Sequence, residues 1–287
     1  MMSTIQNFVA GPFGQSAFFP FIAALLVALV MRLAGGPGRG ALLAGVGIPV
    51  GWLVCYWLTF GLPPFLPPAA LPKLAHVGIA AAVLGFLLDT RPVKRSTALA
   101  VAVLGLAGVL VWLGWSPLMR TPLGTGIALA LCWALGGIAL WRLTLVAEDG
   151  AVAAAKLLAA GFGLALVVTL TGSAAYGQMA GGMAAAIAGY FVLAWLAFSS
   201  PFGAAALFAG VVLMALAGMA ALFGNANPIA LALLVLCFFG DPLAARLRFG
   251  SGGVAKLLVP VMQGLVALLP VAAAVLVSLL LGGGLPY

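Results

Sequence analysis

Only four acidic side chains (Asp89, Glu148, Asp149 and Asp241) and one histidine (His76) occur among 287 residues, so acid–base and metal chemistry have few candidates. Each acid stands at the edge of an apolar run with basic residues close by. Asp89 precedes Arg91, Lys94 and Arg95; Glu148 and Asp149 lie between Arg142 and Lys156; Asp241 precedes Arg246 and Arg248. All four then belong to one membrane interface. A charge deep in a bilayer costs at least a few kcal/mol, and a relay of buried carboxylates is not expected here. Asp89 and Asp241 follow apolar helices, facing the negative end of the macrodipole unless basic neighbours compensate, and are candidates for a gate at that interface. A single histidine supplies neither a multi-histidine metal site nor paired haem ligation, so no metal or cofactor is expected. The stretch Thr171-Gly172-Ser173-Ala174 also lacks the Gly-x-Ser-x-Gly pattern of a serine nucleophile, and an enzyme is not the expected reading.

Uncharged polar residues give a second set. His76, Thr169, Thr171, Ser173, Tyr176 and Asn227 all map to the opposite interface and are candidate substrate-binding residues in a vestibule for a neutral or weakly charged solute. Gln263 lies about two turns into the last apolar run, between Pro260 and Pro270. Each proline removes a backbone donor, which frees carbonyls beside an amide that itself needs partners. Gln263 is therefore the leading binding candidate, with Pro260 and Pro270 as hinges. Pro49 stands between Gly47 and Gly51, a GxxxG pair that lets another helix approach closely while the proline supplies a third hinge.

The elements that must position these residues follow from composition. With 66% hydrophobic and 6% charged residues, the chain lies far from the soluble average of about 25% charged. Its near-continuous apolar runs read as spanning helices and not as alternating barrel strands. Ten runs fit: Ala17 to Ala34, Gly40 to Phe60, Leu71 to Leu88, Thr97 to Ser116, Leu123 to Leu143, Ala151 to Thr171, Gly182 to Phe198, Phe202 to Gly224, Pro228 to Gly240 and Leu257 to Leu281. The fold class is all-α, a polytopic transmembrane bundle in a single integral membrane domain over residues 1–287, with possible halves at 1–145 and 150–287. The ninth run is the shortest, and its thirteen residues reach only about 20 Å against an apolar core of about 30 Å.

Ten crossings put Arg32, Arg39, Arg91, Lys94, Arg95, Arg142, Lys156, Arg246, Arg248 and Lys256 on one side and Lys73 and Arg120 on the other, ten basic residues against two. The positive-inside rule makes the richer side cytoplasmic and both termini external, with anionic lipid headgroups as the counter-charge to the net +8, not nucleic acid. The very short loops and Ala/Gly-rich composition suit a bacterial inner membrane. Cys55, Cys132 and Cys237 fall in different runs at different depths and read as small buried side chains. Trp52, Trp57, Trp112, Trp115 and Trp141 fall near run ends, as an aromatic belt does.

Two further features concern partners. The segment Gly61 to Lys73 holds Pro63, Pro64, Pro67, Pro68 and Pro72, a stiff external strap. The N-terminus carries Ile5, Phe8, Val9, Phe13, Phe18 and Phe19, an interfacial anchor. Either is a possible docking surface for a membrane-protein partner. A short surface helix is expected after the Asp241-Pro242 cap, through Leu243, Arg246, Leu247 and Phe249. Together these features make a permease-like transporter of a small neutral or amphipathic solute the first expectation, with a path near the second, sixth, ninth and tenth runs. A non-transporting subunit that scaffolds a larger membrane complex is the second.

Overall fold

A computed structural model describes residues 11–91, 93–196, 201–241, 243 and 253–282. The chain is a polytopic bundle of apolar helices with, among the described residues, no strand. Among the described residues, nine helices are long and apolar enough to span a membrane: α1 Gly14–Gly35, α2 Gly38–Phe60, α3 Ala70–Asp89, α4 Arg95–Leu113, α5 Pro122–Leu145, α6 Gly150–Leu170, α7 Ala174–Leu196, α8 Ala204–Phe223 and, after the shorter α9 (Pro228–Phe239), α10 Leu257–Leu281. These are the ten expected runs. The interfacial helix through Arg246, Leu247 and Phe249 and the anchor residues Ile5, Phe8 and Val9 lie outside the described residues.

One hydrophobic core runs through all ten helices. It is made largely of Ala, Leu and Val, because small side chains let helices approach closely where lipid offers no hydrophobic driving force. α6 and α8 are central, while α1, α4, α5 and α10 keep most of their surface outward. The GxxxG pair packs as expected. A Cβ on Gly51 would stand 2.6 Å from the Pro20 carbonyl oxygen and 2.7 Å from the Ala24 Cβ, so α1 rides directly on α2 there. Substituting Gly51 with leucine is expected to cost about 1–3 kcal/mol by forcing α1 off α2, measured as a lower unfolding midpoint in detergent.

Four expectations change. The seventh helix begins at Ala174, eight residues earlier than expected. Gly172, at φ 80°, turns the chain tightly after α6, and the Ser173 carbonyl accepts from Gly177 N–H at 2.9 Å, so Tyr176 and Gln178 are helical and not in a loop. Trp52 belongs to no belt: it is 0% exposed, and its indole N–H donates to the Met179 carbonyl at 3.1 Å. Trp57, Trp112, Trp115 and Trp141 do face outward. The strap is shorter than expected, because α3 starts at Ala70 and takes Pro72 and Lys73 into its first turn, where the donor missing from proline is not needed. Finally, α10 stays a continuous helix from Gly253 to Leu281 through both Pro260 and Pro270. The irregular turns lie elsewhere, at Gly14–Phe18 on α1, at Gly36–Gly40 and Ala44–Val46 at the start of α2, and at Leu236–Phe239 on α9. Pro49 accounts for one of them, since its missing donor would have bonded the Gly45 carbonyl.

Candidate functional site

Consecutive helices run in opposite directions, so the bundle has two ends of different chemistry. At one end Lys73, on the first turn of α3, donates from Nζ to the Trp112 carbonyl at 3.0 Å and sits 5.4 Å over the Trp112 ring. His76 Nδ1 lies 3.2 Å from the Pro72 carbonyl, its ring edge-on to Trp112. The other polar candidates at this end gather between α6, α7, α8 and α9. Thr171 Oγ1 donates toward Val168 (2.7 Å) and Gly224 (3.0 Å) carbonyls, Thr169 Oγ1 to the Ala165 carbonyl at 2.7 Å, and the Tyr176 ring backs Gly224. Asn227 Oδ1 caps α9 by accepting from Ile229 N–H at 2.9 Å. The structure thus brings Thr169, Thr171, Tyr176 and Asn227 into one region and leaves His76 on a separate helix pair. Their polar atoms close helix ends and tie helices together, and none lines the cavities described below.

The opposite end carries Arg32, Arg39, Asp89, Arg91, Lys94, Arg95, Arg142, Glu148, Asp149, Lys156 and Asp241, and has two polar sites. The first is a cleft of about 430 Å³ between α2, α3, α4, α5 and α8, lined by Asp89, Arg91, Arg95, Thr144, Glu148 and, at the start of α8, Gly203, Ala204 and Leu207. Asp89 is only 7% exposed. Its two carboxylate oxygens accept from Ala204 N–H at 2.7 Å and Ala205 N–H at 2.9 Å, which are orphan donors at the start of α8. A carboxylate at the positive end of a helix dipole is favourably placed, and this resolves the unfavourable dipole expected from α3 alone. Gly203 is required beside it, since a Cβ there would stand 2.6 Å from the Leu42 carbonyl oxygen and 2.8 Å from Asp89 Oδ2. Across the mouth, Arg95 pairs with Glu148 at 3.0 Å.

The second site contradicts the expectation that every ionisable group sits at an interface. Lys156, two turns inside α6, is 1% exposed, and its ammonium contacts Asp241 Oδ1. Arg142 of α5 bonds Asp241 Oδ2, donates from Nε to the Phe238 carbonyl at 3.3 Å, and stacks 4.7 Å over the Phe239 ring. The short ninth helix is the cause. From Pro228 to Phe239 it rises about 20 Å, eight residues at about 1.5 Å and four at about 2 Å, and Asp241, two residues further on and partly exposed, reaches Lys156.

Helical register places Gln263 on the side of α10 that packs against α6 and the end of α9. Gly264 faces Ala155 of α6 and Val266 faces Gly240 after α9, and on an α-helix residue 263 points between those two directions. Its Oε1 is buried with no hydrogen-bond partner. The sequence had placed Gln263 in a binding path and missed the Lys156–Asp241–Arg142 cluster. The available signal was a lysine set within the Ala-rich stretch of the sixth run, seven residues past Asp149.

No protein-family model matches the chain, and no curated protein matches it in sequence. The site alone therefore carries the functional argument.

Deeper along the same helices that line the cleft, a small cavity of about 60 Å³ lies between α5, α6, α8 and α9, with Cys132 half-buried at its wall. Its lining is almost wholly apolar and includes Cys132, Gly136, Leu164, Leu213, Met214 and Leu234. An apolar cavity of this kind stays dry. Between cleft and cavity, Leu140 and Leu143 of α5 fill the seam against Gly210 of α8, where a Cβ would stand 3.0 Å from Leu140 Cδ2. Both leucines are fully buried. Cys55, Cys132 and Cys237 are all free thiols.

Proposed function

We propose that this integral membrane protein is a permease for a small neutral or amphipathic solute and that its path follows the α5–α8 seam. One observation supports this most: a polar cleft and an apolar cavity lie in line along the same two helices, separated by a plug of two leucines. A solute with a polar head and a small apolar body meets matching surfaces in that order. The plug closes the seam in this state, and alternating access requires such a closure. In this reading the charged end is cytoplasmic, both termini are external, and the protein resides in a bacterial inner membrane. The ten-to-two division of basic residues supports that orientation. Reporter fusions check it: a fusion in the loop around Lys94 should report cytoplasm and one at the C-terminus the external side.

Cys132 is a native probe of the path. In a Cys55→Ala, Cys237→Ala background, Leu140→Ala should speed labelling of Cys132 by a membrane-impermeant thiol reagent added at the charged end by about tenfold, the factor given by an opening made easier by about 1.4 kcal/mol. An unchanged rate would count against the path.

A second reading, a subunit within a larger membrane complex, is favoured by the strap, where Leu62, Phe65 (92% exposed) and Leu66 project from a stiff loop. Under that reading, Leu62→Ser with Phe65→Ser should release a stoichiometric partner on purification in mild detergent.

A further inference from the structure

Resting on the permease reading, we propose that Lys156 is the proton carrier of the transport cycle, so that the proton is the coupling ion. The argument is one of charge balance. When all three groups are ionised, Arg142 and Lys156 share the single carboxylate of Asp241, and the cluster holds a net charge of +1. Lys156 is the member fully removed from solvent, whereas 30% of the Asp241 side chain is exposed.

The elements packed around Lys156 offer no further anion. α8 has no ionisable residue, and α7 contributes only the phenols of Tyr176 and Tyr190. α9 ends in the thiol Cys237 and in Asp241 itself. α10 adds the neutral amide of Gln263 and Lys256, a cation whose side chain lies outside the described part. The nearest other acid on α6 is the cap Asp149, which is held by Val152 N–H at 3.1 Å.

Such a cluster becomes neutral by losing one proton, and only one of its groups can supply it. Arginine does not deprotonate in proteins. Protonating Asp241 would leave two cations without a counter-ion, the costly outcome for a desolvated pair. The remaining step is Lys156–NH₃⁺ to Lys156–NH₂, with the proton passing to water at the exposed side of Asp241 while Arg142 remains as counter-ion to the carboxylate. Lysine on a desolvated site is the residue type whose protonation responds most readily to burial.

The step has a mechanical consequence. With Lys156 charged, Asp241 ties the end of α9 to both α5 and α6. With Lys156 neutral, the Asp241 carboxylate is held by Arg142 alone, and α5, which carries the Leu140–Leu143 plug, is no longer clamped through Asp241 to α6. Proton release thus loosens the seam.

Two solute-free measurements test the proposal. In proteoliposomes adsorbed on a solid-supported membrane, a pH jump should evoke a transient displacement current in the wild type. Lys156→Arg, which cannot release the proton, and Lys156→Gln, which has none to release, should each lower it about tenfold. Both variants keep the Arg142–Asp241 pair, and size-exclusion profiles check their folding. A wild-type response equal to that of protein-free liposomes, or a current that survives in Lys156→Gln, overturns the assignment. The second measurement links the proton to the path: Cys132 should label faster in Lys156→Gln than in Lys156→Arg, and equal rates overturn the coupling. Neither current outcome depends on whether Cys132 is reached at all, so failure of proton carriage is distinguishable from failure of the permease reading.

Discussion

Replacing Asp241 with alanine is expected to destabilise the protein by about 3 kcal/mol or more, whereas Lys156→Met should change stability by less than about 1 kcal/mol in either direction. The asymmetry follows from the cluster. Asp241 is the only anion for two cations, one of them fully buried. Removing it strands both, and breaking a buried pair by removing one partner is what costs several kcal/mol. Removing Lys156 leaves the Arg142–Asp241 pair intact and takes a surplus positive charge out of an apolar setting. Equilibrium unfolding in mixed micelles measures both variants. If Lys156→Met were as damaging as Asp241→Ala, the lysine would be a structural tie, and its burial would need no functional account.

Asp89 gives the second large effect. Its carboxylate is the partner of two buried amide donors at the start of α8, and hydrogen bonds to a charged group are worth about 1.5–3 kcal/mol each. Asp89→Ala should therefore cost about 2–4 kcal/mol, an overlap of hydrogen-bond and cap losses and not their sum. Asp89→Asn keeps one acceptor oxygen and should cost about half of that. Hydrogen exchange separates this local effect from general loosening: the Ala204 and Ala205 amides should lose protection first in Asp89→Ala. Gly203→Ala should expose the same two amides, because its Cβ would collide with Asp89 Oδ2 and the Leu42 carbonyl.

The two predictions divide along the line between what the sequence showed and what it hid. Helix number, the approach of Gly51 to α1 and the short ninth run were legible, because length, apolar continuity and small-residue spacing are local properties of the chain. The location of Asp89 and Asp241 at one end was legible for the same reason. What Asp89 does there was not, since its partners Ala204 and Ala205 lie more than a hundred residues away and donate through the backbone.

Lys156 shows the same limit more sharply. A lysine near the start of a run reads as an interfacial charge that snorkels to water. It stays buried because the short α9 sets Asp241 against it, a fact about a different helix. Trp52 was misplaced for a related reason, since nearness to a run end says nothing about which side of the helix meets Met179. Among the polar residues of the opposite end, Thr169, Thr171 and Asn227 direct their hydrogen bonds to backbone groups of their own helices and helix ends. Composition alone cannot distinguish such groups from a solute site.

The central claim is that the α5–α8 seam is a path that opens in turn to each side of the membrane. The most direct measurement is labelling of Cys132, as the sole cysteine in an otherwise wild-type chain, by a membrane-impermeant thiol reagent in vesicles of the two opposite orientations. The account predicts labelling from either face, at rates that Lys156→Arg and Lys156→Gln change in opposite proportion between the two orientations. A Cys132 that stays unlabelled from both faces, in the wild type and in Leu140→Ala alike, would contradict it.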